Sequence, residues 1–169
     1  MTARSIARTS VAGLVAALAL VPGPADAATA SKQDPRGDGM SGVDFRSFRV
    51  DNGTIRTTMG LSVAKLPRKG VVFLSFVDPI DGEYGGGVRV RRAKGVVSAR
   101  FYNENYEGMT MSPCPGTRAT WSTGKDRVTA TFTWSCATYG PYDSNYFYAQ
   151  WGRDYDKSDH FGTFQVARD

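Results

Sequence analysis

Between residues 54 and 63 the chain alternates: Ile55, Thr57, Met59, Leu61 and Val63 fall between Thr54, Arg56, Thr58, Gly60 and Ser62. Successive side chains of a strand point to opposite faces, so this spacing predicts a strand with one face on a core and one in water. A helix, with a period of 3.6, would scatter the same residues around its circumference. Asp51-Asn52-Gly53 precedes it. Asn-Gly accepts the positive φ angles of a tight hairpin turn, which pairs this strand with residues 45–50.

The same signal recurs to the end of the chain. Residues 71–77 (VVFLSFV) form a continuous apolar run, the mark of a central strand buried on both faces. Residues 84–92 alternate again, with Val88 and Val90 inward and Arg89 and Arg91 outward, and residues 96–102 follow after Lys94-Gly95. Val128, Ala130, Phe132 and Trp134 alternate with Thr129, Thr131 and Thr133; residues 146–151 and 161–166 complete the set. No stretch beyond the N-terminal segment repeats apolar residues at helical spacing for three turns. The expected fold is all-β, an antiparallel β-sandwich of about eight or nine strands spanning residues 43–169.

The N-terminus reads differently. Arg4 and Arg8 precede an apolar run over residues 11–21, Pro22 and Pro24 break it, and Ala25-Asp26-Ala27 offers a small-x-small cleavage pattern. Residues 1–27 are expected to be a secretory signal peptide, with residues 28–42 a flexible leader rich in glycine and polar residues. The apolar run falls short of the roughly 20 residues that cross a hydrocarbon core. No cysteine stands at the cleavage pattern, and residues 66–70 (LPRKG) carry Lys where a wall-sorting signal carries Thr. Secretion without a membrane anchor is the expectation. Of 21 basic and 16 acidic side chains, 19 and 15 lie beyond residue 27. That mild positive balance, with no recognition motif, argues against a nucleic-acid partner and leaves anionic envelope polymers as candidates.

The two cysteines, Cys114 and Cys136, are expected to pair in an oxidising compartment. Closing about 23 residues stabilises a fold by roughly 3 kcal/mol in the chain-entropy model. A hairpin centred on Lys125 sets Cys114 opposite Cys136, but it also sets Trp121 opposite Thr129, away from Val128 and Phe132. Either Trp121 covers the other face of the sheet or the register shifts near Pro115.

Asp34-Pro35-Arg36-Gly37-Asp38, residues 43–50 (VDFRSFRV), the alternating second strand, the 71–78 run ending in Asp78 and the late cysteine pair together carry a resemblance. They resemble a family of secreted β-sandwich proteins common in actinobacteria, similar to DOMON domains and family 9 carbohydrate-binding modules. The resemblance implies a sandwich; fold alone does not carry function.

No catalytic constellation emerges. His160 is the one histidine, with only its neighbour Asp159 as a partner and no Gly-x-Ser-x-Gly elbow in the chain. Acidic loops at Asp78, Asp81 and Glu83 and at Asp154, Asp156 and Asp159 are candidate calcium ligands, calcium being the one cofactor they suggest. Asp34 and Asp38 form a third acidic pair. Seven aromatics crowd residues 139–155. Neighbouring strand residues cannot all face inward, so Tyr142, Tyr146, Tyr148, Trp151 and Tyr155 are candidate sugar-stacking rings. Arg89, Arg91, Arg92, Lys94 and Arg100 form a basic stripe that could meet an anionic polymer. Arg36-Gly37-Asp38 and the sequon Asn52-Gly53-Thr54 each coincide with a turn signal that accounts for them. The expectation is a non-catalytic binding module for polysaccharide; a structural or protein-interaction domain and a hydrolase with an unrecognised site are the alternatives.

Overall fold

A computed structural model of the chain describes residues 28–34, 43–80, 82–140, 142–152 and 159–168, with backbone alone for 159–163. Among these residues eleven strands run in chain order: β1 Ala28–Gln33, β2 Phe45–Asn52, β3 Arg56–Val63, β4 Gly70–Val77, β5 Gly85–Ala93, β6 Val96–Asn105, β7 Gly108–Ser112, β8 Arg118–Ser122, β9 Arg127–Thr133, β10 Ser144–Trp151 and β11 Asp159–Ala167. One 3-10 turn, Trp134–Cys136, follows β9. Two antiparallel sheets result, ordered β1-β2-β3-β9-β8 and β11-β10-β4-β5-β6-β7. The all-β sandwich expected from the alternation is what forms. Among the described residues no helix is long and apolar enough to cross a membrane.

The core lies where the alternating sets meet. Val50, Met59, Leu61, Val128 and Phe132 come from the five-stranded sheet; Val72, Leu74, Phe76, Val88, Val90 and Phe147 come from the six-stranded one, all essentially inaccessible. Phe132 stacks on Phe76 at 5.4 Å, and Trp134 stands edge-on to both at 5.1 and 4.8 Å. Each such buried ring contributes on the order of 2–3 kcal/mol by removal from water. Residues 71–76 are buried on both faces, as their uninterrupted apolar run requires.

The strand count exceeds the expected eight or nine. Residues 28–33, expected in a flexible leader, form β1 along β2, with Ala28 opposite Asn52 and Ala28 and Ala30 packed on the core. β7 is the other addition, β8 being the first arm of the hairpin read around Lys125, and all three are edge strands with little apolar alternation. Ile55, expected on the core face, sits in the β2–β3 turn at 75% exposure because β3 begins one residue later. The sequon asparagine is fully buried: Asn52 donates to the Ala167 carbonyl at 3.1 Å and accepts from Thr57 Oγ1 at 2.9 Å.

The cysteines pair as expected, with Cα atoms 5.4 Å apart. Trp121, however, pairs with Val128 and not Thr129, because the β8–β9 turn holds four residues and is centred between Gly124 and Lys125. That half-step puts Trp121 on the core, where its Nε1–H donates to the Pro67 carbonyl at 2.8 Å. The ladder ends at Arg118, so the disulfide joins the chain before β8 to the 3-10 turn after β9 instead of spanning the hairpin.

Candidate functional site

Three turns converge at one end of the six-stranded sheet, those joining β4 to β5, β6 to β7 and β9 to β10. The β6–β7 hairpin pairs Asn105 with Gly108, leaving Tyr106 and Glu107 at its tip. Asn105 Oδ1 accepts from the Glu107 N–H at 3.0 Å and closes the turn. A residue at such a tip has no core to enter, and Tyr106 is 73% exposed. In the β4–β5 connection the Asp78 carboxylate accepts from the Ile80 N–H at 2.6 Å, while the Asp78 N–H donates to the Tyr84 carbonyl at 2.7 Å. This fixes Tyr84 beside the hairpin, its ring 6.4 Å from that of Tyr106 and near perpendicular to it.

The third aromatic comes from the β9–β10 connection. Asn103, buried at the end of β6, accepts from the Thr138 N–H at 2.8 Å and donates to Ser112 Oγ at 3.1 Å. With the Cys114–Cys136 bond just before it, this amide holds Tyr139 with its ring 4.6 Å from Tyr84. A groove of about 210 Å³ has Tyr139 in its wall, with Asn103, Glu104, Asn105, Thr110, Ser112 and Thr138. Aromatic faces next to amides and hydroxyls can stack on the C–H face of a sugar ring while hydrogen-bonding its hydroxyls.

The aromatic segment read from the sequence is distributed otherwise. Trp151 and Tyr148 do not form an exposed platform. Trp151 is 8% exposed because its strand position faces the core, its ring 5.4 Å from Trp121. Tyr148 is buried on the outer face of the six-stranded sheet, where it donates a hydrogen bond to Glu104. Tyr142 and Tyr146 are half-buried, and Tyr155 lies outside the described residues. Tyr84, read from the sequence as the start of the 84–92 strand, and Tyr106 lie outside the aromatic segment that the sequence singles out.

Burial raises the Glu104 carboxyl above its ordinary value, and the Tyr148 hydrogen bond opposes the shift. Glu104 faces Gly85 across the ladder, and Ser75 and Tyr102 share a hydrogen bond in the next row of the same face. At Gly85 and Gly87 an added Cβ would come within 2.3 and 2.2 Å of backbone oxygens of Phe76 and Leu74, so only glycine fits there. Of the acidic candidates, Asp78 is buried and caps its own turn, and Glu83 is exposed. Asp34 is half-buried at the end of β1, its N–H bonded to the Arg46 carbonyl. Asp38, Asp81, Asp154 and Asp156, and the side chains of Asp159 and His160, lie outside the description. Among the described residues no three metal-ligating side chains gather.

The basic stripe divides. Arg89 stands 5.9 Å over the Phe73 ring, Arg100 pairs with it across the ladder, and Arg91, Arg92 and Lys94 reach the opposite end of the sheet from the tyrosines. A comparison with protein-family models, curated proteins and solved structures finds no match to this chain.

Proposed function

We propose that the protein is a secreted, non-catalytic binding module whose ligand is an extracellular or cell-envelope polysaccharide. The observation that carries the reading is the Tyr84–Tyr106–Tyr139 cluster, fixed by a buried asparagine and a disulfide beside an amide- and hydroxyl-lined groove. Export is supported by the n-region, apolar run and cleavage pattern of residues 1–27, and the disulfide is compatible with it.

A glycan array with insoluble-polysaccharide pull-down tests the reading. At least one polysaccharide is retained by the wild type, and Tyr106→Ala and Tyr139→Ala each weaken retention about tenfold, the scale of one lost contact residue at a binding hot spot. Retention of nothing, or retention indifferent to both substitutions, overturns it. Ile80 and Tyr106, 83% and 73% exposed at the same end, favour a second reading in which another protein docks there. A binding partner that is captured without glycan and is lost with Ile80→Ser would select that reading.

A further inference from the structure

At the far end of the six-stranded sheet a hollow of about 360 Å³ is lined by Lys69, Gly70, Arg91, Arg92, Lys94 and Trp151. We infer that this hollow is a binding site for a tetrahedral oxyanion, a phosphate group carried by a polymer. It stands apart from the tyrosine end by the length of β4, roughly 23 Å at about 3.3 Å per residue, and does not rest on the sugar-binding reading.

Three observations carry the inference. The first is charge: four cations ring the hollow, and among the described residues none of them has a carboxylate partner. Asp126, in the neighbouring β8–β9 turn, uses its carboxylate to accept from the Leu66 N–H at 2.9 Å. Like charges held together without counter-charge raise the free energy of the fold, so a bound anion would be stabilising. The second is an orphan donor. Arg92 Nε is shielded from solvent and has no acceptor among the described residues, a state that costs about 1–3 kcal/mol unless something accepts from it.

The third is geometry. Arg91 pairs with Val71 and Arg92 with Gly70, so the two side chains leave β5 on opposite faces of the sheet. Lys94 is held at the hairpin tip with φ of 52°, beside Gly95 at 80°, the pair of left-handed residues that a two-residue hairpin demands. Gly70 packs directly on the Trp151 ring, which lies 2.6 Å from where a Cβ would stand, so this wall of the hollow is backbone against indole. Arg91 therefore points away from Arg92, and it is Arg92 with Lys69 and Lys94, donors from a strand, a connection and a turn, that offers a non-planar set suited to the oxygens of a phosphate more than to the coplanar pair of one carboxylate.

Equilibrium titration of the protein with poly(glycerol phosphate), inorganic phosphate and polygalacturonate, followed by calorimetry at low ionic strength, tests this. Poly(glycerol phosphate) is expected to bind, polygalacturonate at least tenfold more weakly, and Arg92→Gln to weaken phosphate-polymer binding about tenfold or more, as loss of a hydrogen bond from a charged group should. Inorganic phosphate competing with the polymer assigns the site to the phosphate group itself; phosphate that binds while the polymer does not overturns the polymeric source. The double variant Lys69→Gln/Lys94→Gln, both exposed, carries the same expectation should Arg92→Gln fold poorly. Binding equal for both polymers, or unchanged in these variants, overturns the inference. Tyr106→Ala should leave phosphate-polymer binding untouched, which separates its outcome from that of the sugar-binding reading.

Discussion

At one end of the six-stranded sheet the turns carry Tyr84, Tyr106 and Tyr139; at the other, the hollow beside the β5–β6 hairpin is ringed by Lys69, Arg91, Arg92 and Lys94. The strands between are common to both ends and serve the core. Both ends close β6 with two-residue hairpin turns, Lys94-Gly95 and Tyr106-Glu107, whose tips face water whatever residue occupies them. A side chain at such a position is not chosen by packing. The two ends therefore separate what the sandwich needs from what it displays, and the displayed chemistry differs: aromatic rings beside amides and hydroxyls against cations with no carboxylate partner among the described residues.

The comparison can be broken first at the disulfide. Replacing both cysteines, Cys114→Ser with Cys136→Ser, is expected to cost about 3 kcal/mol by the chain-entropy model. At about 2–4 °C per kcal/mol for a chain of this size, thermal unfolding should fall by roughly 6–12 °C. Below that lowered midpoint, sugar binding should weaken because the Tyr139 connection is released, while phosphate-polymer binding stays. Loss of both together would mean that the ends are not independent.

Asn103→Ala acts more locally. It leaves the Thr138 N–H without its acceptor and should destabilise by about 1–3 kcal/mol in denaturant titration. Sugar retention should drop with it, and phosphate-polymer binding should not.

Glu104→Gln works in the other direction. A carboxyl whose folded-state value is raised binds its proton more tightly folded than unfolded, so stability falls as pH rises from the ordinary carboxylate value through the raised one. Glutamine removes the charged form and can still accept from Tyr148. The variant should melt above the wild type at pH 7, and the gap should close as pH falls to about 4. A gap that widens on acidification would contradict the burial of Glu104. The smallest stability effect belongs to Tyr106→Ala, expected within about 0.5 kcal/mol because the ring is largely in water.

What the sequence made legible follows from where apolar alternation is obligatory. Residues 71–77 and 54–63 sit mid-sheet, and their patterns give both the strands and their faces. β1, β7 and β8 lie at sheet edges, where few positions meet the core, so their sequences carry almost no period. Trp121 shows how fine the margin is. Its face depends on whether the β8–β9 turn has an odd or even number of residues, which composition does not determine. The aromatic segment misled for a related reason: a count of rings says nothing about register, and register sends Trp151 to the core and Tyr148 under its neighbours. The tyrosines at the proposed site come from three separate turns, and only the topology brings them together.

The most direct test is an amide chemical-shift titration with the polysaccharide selected by the array. The account predicts shifts confined to Tyr84, residues 105–108 and residues 138–140, with Gly70, Lys94 and Gly95 unmoved. Shifts centred on Gly70 and Lys94 instead, or no residue-specific shifts with any polysaccharide, would contradict it.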